Sequence, residues 1–161
     1  MCGAHDAWAL WRLGYPDQGR VRSDEAVILA QQIAHPFSLG FALSFAAGFH
    51  QFRREGRCTQ ERAAAAINLS KEQGFAQWMA IGSMQHGWAL VQQGQAQEGM
   101  AQLSHGLLTY CATGAEVQRP HFLALLAEAH GTLGEPEAGL AVLAEALVHV
   151  EHTGERYSLN L

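Results

Sequence analysis

The sequence predicts an all-α fold: a helical solenoid of about four helix–turn–helix units, each 40 residues long. Three observations predict it. The segment from Gly74 to Gly114 falls on the segment from Gly114 to Gly154 at a shift of 40 positions. Under that shift Ala89, Gly94, Gly99, Ala101, Leu103, Leu107 and Thr113 meet Ala129, Gly134, Gly139, Ala141, Leu143, Leu147 and Thr153. A fixed period of this size marks stacked supersecondary units. Ala, Leu, Gln and Glu dominate the 161 residues, Val, Ile and Thr are sparse, and there are only 4 prolines, a composition that disfavours sheet. Three columns of small residues also recur in register: Ala7, Ala47, Gly87, Ala127; Gly19, Thr59, Gly99, Gly139; and Ala26, Ala66, Gly106, Ala146. Glycine inside a helix costs about 0.5–1 kcal/mol relative to alanine. Such columns therefore need a packing reason, and the close crossing of antiparallel helices supplies one.

The elements follow in order. Residues 4–13 form a first, short helix that stops at Gly14, and Gly14-Tyr15-Pro16-Asp17 is a turn with Asp17 placed as an N-cap. A second helix runs over 18–34 and ends before His35-Pro36, because a residue preceding proline disfavours the α region. The third, 37–54, is apolar on nearly every side (Phe37, Leu39, Phe41, Leu43, Phe45, Phe49, Phe52), which predicts burial between neighbours. Glu55-Gly56-Arg57 is a turn, and 59–73 is a fourth helix closed by Gly74 in a left-handed cap. Helices five (75–93) and six (96–113) flank Gly94-Gln95. The seventh (115–133) contains Pro120, which predicts a late start or a kink. Pro136 suits the first turn of the eighth, 137–152. Residues 155–161 read as the stub of a ninth. The units are therefore about 1–34, 35–74, 75–114 and 115–154, within one domain.

Composition excludes several functions. Charged residues make up 16% and the formal net charge is −5. No basic stripe is available to displace counterions from a phosphate backbone, so nucleic acid is not an expected partner. No apolar run approaches the roughly 18 residues of a membrane helix; the segment 37–49 comes nearest and is interrupted by Ser38, Gly40, Ser44 and Gly48. The start, MCGAHDAW, lacks a basic region followed by an apolar one, so no signal peptide is expected. Cys2, Cys58 and Cys111 are far apart and in no metal spacing, and read as free thiols in a reducing cytoplasm.

Small residues in three columns, with Gly14, Gly94 and Gly134 at the turns, resemble the tetratricopeptide repeat, whose usual unit is about 34 residues. The wording of three segments is closer still: His35-Pro36-Phe37-Ser38-Leu39, Phe49-His50-Gln51-Phe52-Arg53-Arg54, and Arg119-Pro120-His121-Phe122-Leu123-Ala124-Leu125-Leu126-Ala127-Glu128. They are similar to the C-terminal arrays of large bacterial signalling ATPases, which often carry an adenylate-cyclase-like domain and an AAA-type ATPase ahead of the array. The second unit departs from the pattern, since its turn reads Arg53-Arg54-Glu55-Gly56 and the glycine is displaced by two. The resemblance implies a right-handed superhelix and a non-catalytic protein-interaction or scaffold module, part of a bacterial signalling system.

Carried over through the register, the resemblance places a partner groove on the first helices of the units. Its lining is Trp8, Trp11 and Arg12; Phe41, Ser44, Gly48 and Gln51; Met84, Trp88 and Gln92; and His121, Ala124 and Glu128. The expected occupant is a protein or peptide; the alternative is a small ligand held by the tryptophans, which would make the chain a sensor. Equally open is that these side chains pack against adjacent units or a neighbouring chain. The last full helix carries Leu140, Leu143, Leu147 and Val150 with little to face. Solenoid ends normally carry polar caps, so this apolar row predicts either a longer array of which this chain is a part or association with another copy, with a homodimer as the specific expectation.

Catalytic and cofactor constellations are not legible. There is no GxxxxGK[ST] loop and no GxSxG, and Gly94 and Gly99 belong to a turn and a column rather than to a nucleotide fingerprint. His149 and His152 share a helix face without a third ligand and read as solvated. His50 and His130 stand at the position of Leu10 and Leu90, which predicts packed or hydrogen-bonded residues. Glu116, Glu128, Glu137 and Glu145 read as helix-surface charges. No metal, cofactor or enzymatic activity is expected.

Overall fold

In a computed structural model, residues 2–154 of the chain are described. They form eight helices and, among the described residues, no strand: α1 (Cys2–Arg12), α2 (Pro16–Ile33), α3 (Pro36–Phe52), α4 (Gly56–Gln73), α5 (Ala76–Gln92), α6 (Ala96–Ala112), α7 (Arg119–Thr132) and α8 (Pro136–Thr153). The expected stub at 155–161 lies outside the described residues.

Turn chemistry sets the boundaries. Pro16, Pro36 and Pro136 each open a helix, and Pro120 is the second residue of α7. There the missing N–H is one that no helix turn would have used, so Pro120 gives a late start and no kink. Asp17 is not the N-cap of α2; Tyr15 is, and Asp17 lies in the first turn, where its charge suits the positive end of the helix dipole. His35 caps α3 by accepting from the Ser38 backbone N–H at 3.3 Å.

Every twentieth residue from 14 to 154 has positive φ. Six of these eight are glycines; the other two are Ala34 (φ 52°) and Arg54 (φ 60°). This resolves the irregular second unit. Arg54 takes the left-handed position that Gly14, Gly94 and Gly134 take elsewhere, and Gly56 merely begins α4. The register has not slipped.

Each helix packs on its neighbour in the chain, and α1, α3, α5 and α7 also pack on one another in succession. The outer helices α2, α4, α6 and α8 show no comparable packing among themselves within the described residues. The inner layer is thus the tighter one. Its helices are the apolar ones: α3 buries Gly40 to Ser44, Ala46 to Gln51, and α5 buries Trp88 to Val91.

The columns of small residues are the points where the two layers cross. A Cβ built on Gly19 would lie 2.8 Å from the Ala7 carbonyl oxygen, one on Gly87 2.7 Å from that of Gly99, and one on Gly139 3.0 Å from that of Ala127. The first two columns therefore face each other, unit by unit. The third seats Gly106 against the Met84 side chain, and Ala66 and Ala146 are buried as well, but Ala26 is only half-buried. Phe49, Met84, Trp88, Leu103, Tyr110 and Phe122 are almost wholly buried between the layers. Each contributes about 1.5–3 kcal/mol by leaving water.

Candidate functional site

The inner layer is where the register placed the groove, and the structure fills much of it with the chain's own side chains. At one end Trp8 donates its indole N–H to the Phe45 carbonyl at 2.9 Å and meets Phe52 edge-on, while Trp11 stacks on Phe52 with ring centroids 5.2 Å apart. His121, at the start of α7, reaches across to this cluster. Its ring lies 5.5 Å from that of Phe52, and its Nε2 is 3.1 Å from Gln51 Oε1. A neutral imidazole protonated at Nε2 donates that hydrogen bond. Burial, together with the Arg12 guanidinium, pushes the His121 pKa down to about 4, because a second positive charge in a desolvated place is unfavourable.

A second cluster lies beside it. Arg54 donates to Glu128, which also accepts from Gln92 Nε2 at 3.0 Å. The Arg54 guanidinium stands 5.9 Å from the centre of the Trp88 ring. Arg54 stands at the left-handed turn of the second unit.

The expected groove residues therefore divide. Trp8, Trp11, Arg12, Gln51 and His121 converge, as do Trp88, Gln92 and Glu128. Arg12, Gln92 and Ala124 are exposed and Trp11, Glu128 and His121 half-buried, whereas Trp88 is 1% exposed. Met84 faces the outer layer, under Gly106, and does not line the groove. Ser44 is buried, donates to the Gly40 carbonyl at 2.9 Å and receives Gln85 Nε2 on its own carbonyl at 2.9 Å. Phe41 stacks on Phe45, whose ring also meets Trp8, and so extends the first cluster. Gln51 Nε2, Gln85 Oε1 and Trp88 Nε1 are buried without a protein partner. They give this layer its spare hydrogen-bonding capacity.

The outer layer presents an apolar row on α8. Leu140, Leu143 and Leu147 are exposed, with Val148 beside them. Val150, expected in the same row, is buried; it stands at the register position of Ala30, Ser70 and Tyr110, which are buried too. His149 is not solvated. Its side chain is largely covered, 3.6 Å from Glu116, and Arg119 pairs with both Glu116 (3.3 Å) and Glu145 (2.8 Å).

Sequence reasoning passed over one further cluster. In all four units the residue after the turn returns its backbone N–H to the inner helix: Tyr15 to Leu10, Glu55 to His50, Gln95 to Leu90, Glu135 to His130. In units two and four the side chains add a second tie, His50 Nδ1 to Glu55 Oε2 at 2.5 Å and His130 Nδ1 to Glu135 Oε2 at 2.8 Å. Burial would raise the Glu55 carboxyl, but hydrogen bonds from His50 and Arg53 outweigh it and hold it below the usual value. In unit two alone Cys58 joins the pair. The signal available in the sequence was the H-x4-E spacing, repeated 80 positions apart.

No helix among the described residues is long and apolar enough to cross a membrane. No family model matches the chain, and no curated protein matches it either.

Proposed function

We propose that the chain is a non-catalytic protein-interaction module that associates through the outer face of α8, with a second copy of itself as the partner. The observation that carries this reading is a contrast between equivalent residues. Leu140, Leu143 and Leu147 of α8 are exposed, while Met100, Leu103 and Leu107, their counterparts in α6, pack in the core. A face that the array buries elsewhere is open here, and an apolar patch of this kind is a recognised association surface. The tetratricopeptide-like wording of its segments supports a regulatory scaffold role in a bacterial signalling system.

The test is the oligomeric state by light scattering at tens of micromolar. The native chain is expected to be a dimer, and Leu143→Asp combined with Leu147→Asp a folded monomer. A native chain that is already monomeric at that concentration overturns the reading.

A further inference from the structure

We propose that His50, Glu55 and Cys58 form a binding site for a zinc-like divalent cation at the turn between α3 and α4. One ligand atom from each, an imidazole nitrogen, a carboxylate oxygen and a sulfur, lies within 4.8 Å of the other two. That spacing needs only small side-chain rotations to close around an ion. The donor types suit zinc, which takes nitrogen, oxygen and thiolate sulfur and accepts three protein ligands plus water.

Two of the ligands are already held in place. His50 is 6% exposed and fixed at the end of α3. Glu55 is the residue preceding α4, and Arg53 Nε donates to its Oε1 at 2.8 Å, leaving Oε2 turned to His50. A hydrogen bond on the far carboxylate oxygen is the kind of outer support that orients a ligand. Cys58, the third residue of α4, is exposed. It and His50 both line a polar hollow between α2, α3 and α4, shared with Arg20, Asp24, Glu61 and Arg62. The hollow gives an ion its way in. Asp24 and Arg62 pair with each other at 3.0 Å.

The proton balance closes. Binding replaces the hydrogen bond between His50 Nδ1 and Glu55 Oε2 with bonds from both atoms to the ion. In the metal-free pair the shared proton sits on Nδ1; binding displaces it, the imidazole then carrying its proton on Nε2, and the Cys58 thiol gives its proton to solvent. Thiolate and carboxylate together offset the two charges of the cation.

The repeat supplies its own controls. Unit four has the same pair, His130 and Glu135, but Ala138 stands where Cys58 does; units one and three have Leu10 and Leu90 in place of His50. The cysteine is what distinguishes a site from a turn clasp.

The experiment is a titration of the reduced, metal-free chain with Co²⁺, followed by absorption. The native chain is expected to bind one equivalent, with a sulfur-to-cobalt charge-transfer band and the strong visible bands of a four-coordinate ion. Cys58→Ser should abolish the charge-transfer band and weaken binding at least tenfold. Cys111→Ser should change nothing. Ala138→Cys should add a second equivalent. His50→Leu places at this position the residue found in units one and three; it should lose binding while keeping its helical circular dichroism. If His50→Leu does not fold, Cys58→Ser and Ala138→Cys decide the matter, since both positions keep exposed surface. No charge-transfer band in the native chain, or one that survives Cys58→Ser and disappears in Cys111→Ser, overturns the proposal.

Discussion

His121 and Gln51 are hydrogen-bonded at 3.1 Å although 70 positions separate them in the chain. The contact joins α7 to α3 past the intervening α5. It holds a histidine whose pKa is lowered to about 4 by burial and by Arg12. The unfolded chain, with an ordinary value near 6.5, takes up the proton first. The stability that neutral His121 contributes is therefore complete above about pH 6.5 and is lost as pH falls from there toward 4. Urea unfolding should show the native chain losing about 1–2 kcal/mol from this group between pH 7 and pH 5. His121→Gln should lose less over the same interval. An equal loss in the variant would place the titrating group elsewhere. Glu55 acts in a lower window: its depressed carboxyl stabilises the fold above the ordinary carboxylate value, and that share disappears as pH drops through its folded value.

The crossing of α5 and α6 tolerates no added atom. A Cβ on Gly99 would lie within 3.0 Å of both the Gly87 carbonyl oxygen and the Val91 backbone nitrogen. Neither can move without shifting a helix. Gly99→Leu should cost about 1–3 kcal/mol or more, read as a drop in melting temperature, and Gly99→Ala should already be destabilising. An unchanged melting temperature would mean that the two helices can separate freely.

Ala34 and Gly94 test the backbone alone. Ala34 holds φ 52°, a conformation that costs an L-residue about 1–2 kcal/mol. Ala34→Gly should raise stability by about 0.5 kcal/mol, the strain relieved less the extra entropy glycine loses on folding. Gly94 has φ 85° and nothing within 4 Å of a built Cβ, so Gly94→Ala should cost about 1 kcal/mol through its backbone. Denaturation midpoints at constant slope are the measurement.

The tie between Arg54 and Glu128 is a partly exposed ion pair. Glu128→Ala should cost about 0.5–1 kcal/mol at low ionic strength, and most of that difference should vanish in about 1 M salt. A loss that is independent of salt would assign the role of Glu128 to its hydrogen bond from Gln92.

The helix order, the unit length and two of the small-residue columns could be read from the sequence, because a period of 40 repeats every packing constraint four times. What could not be read lies where one unit departs from the others. Arg54 occupies a glycine position, and only the backbone shows that it keeps the register. The register puts Trp88 and Met84 in the groove, but both are buried, and Met84 faces the outer layer under Gly106. A period fixes which positions are equivalent and leaves open which of them the neighbouring helices cover. Val150 could have been placed correctly, since Ala30, Ser70 and Tyr110 share its position and two of them are too small or too polar for an outward apolar row. Cys58 reads from the sequence as an isolated thiol because its neighbours in space, His50 and Glu55, lie across a turn.

In an array whose units touch only their immediate neighbours, each joint flexes on its own and the whole behaves as a soft spring. Here the second and fourth units are fastened to each other over the third, through Gln51 with His121 and Arg54 with Glu128. Pulling those two units apart strains contacts that span three units, and not only the joints between neighbours.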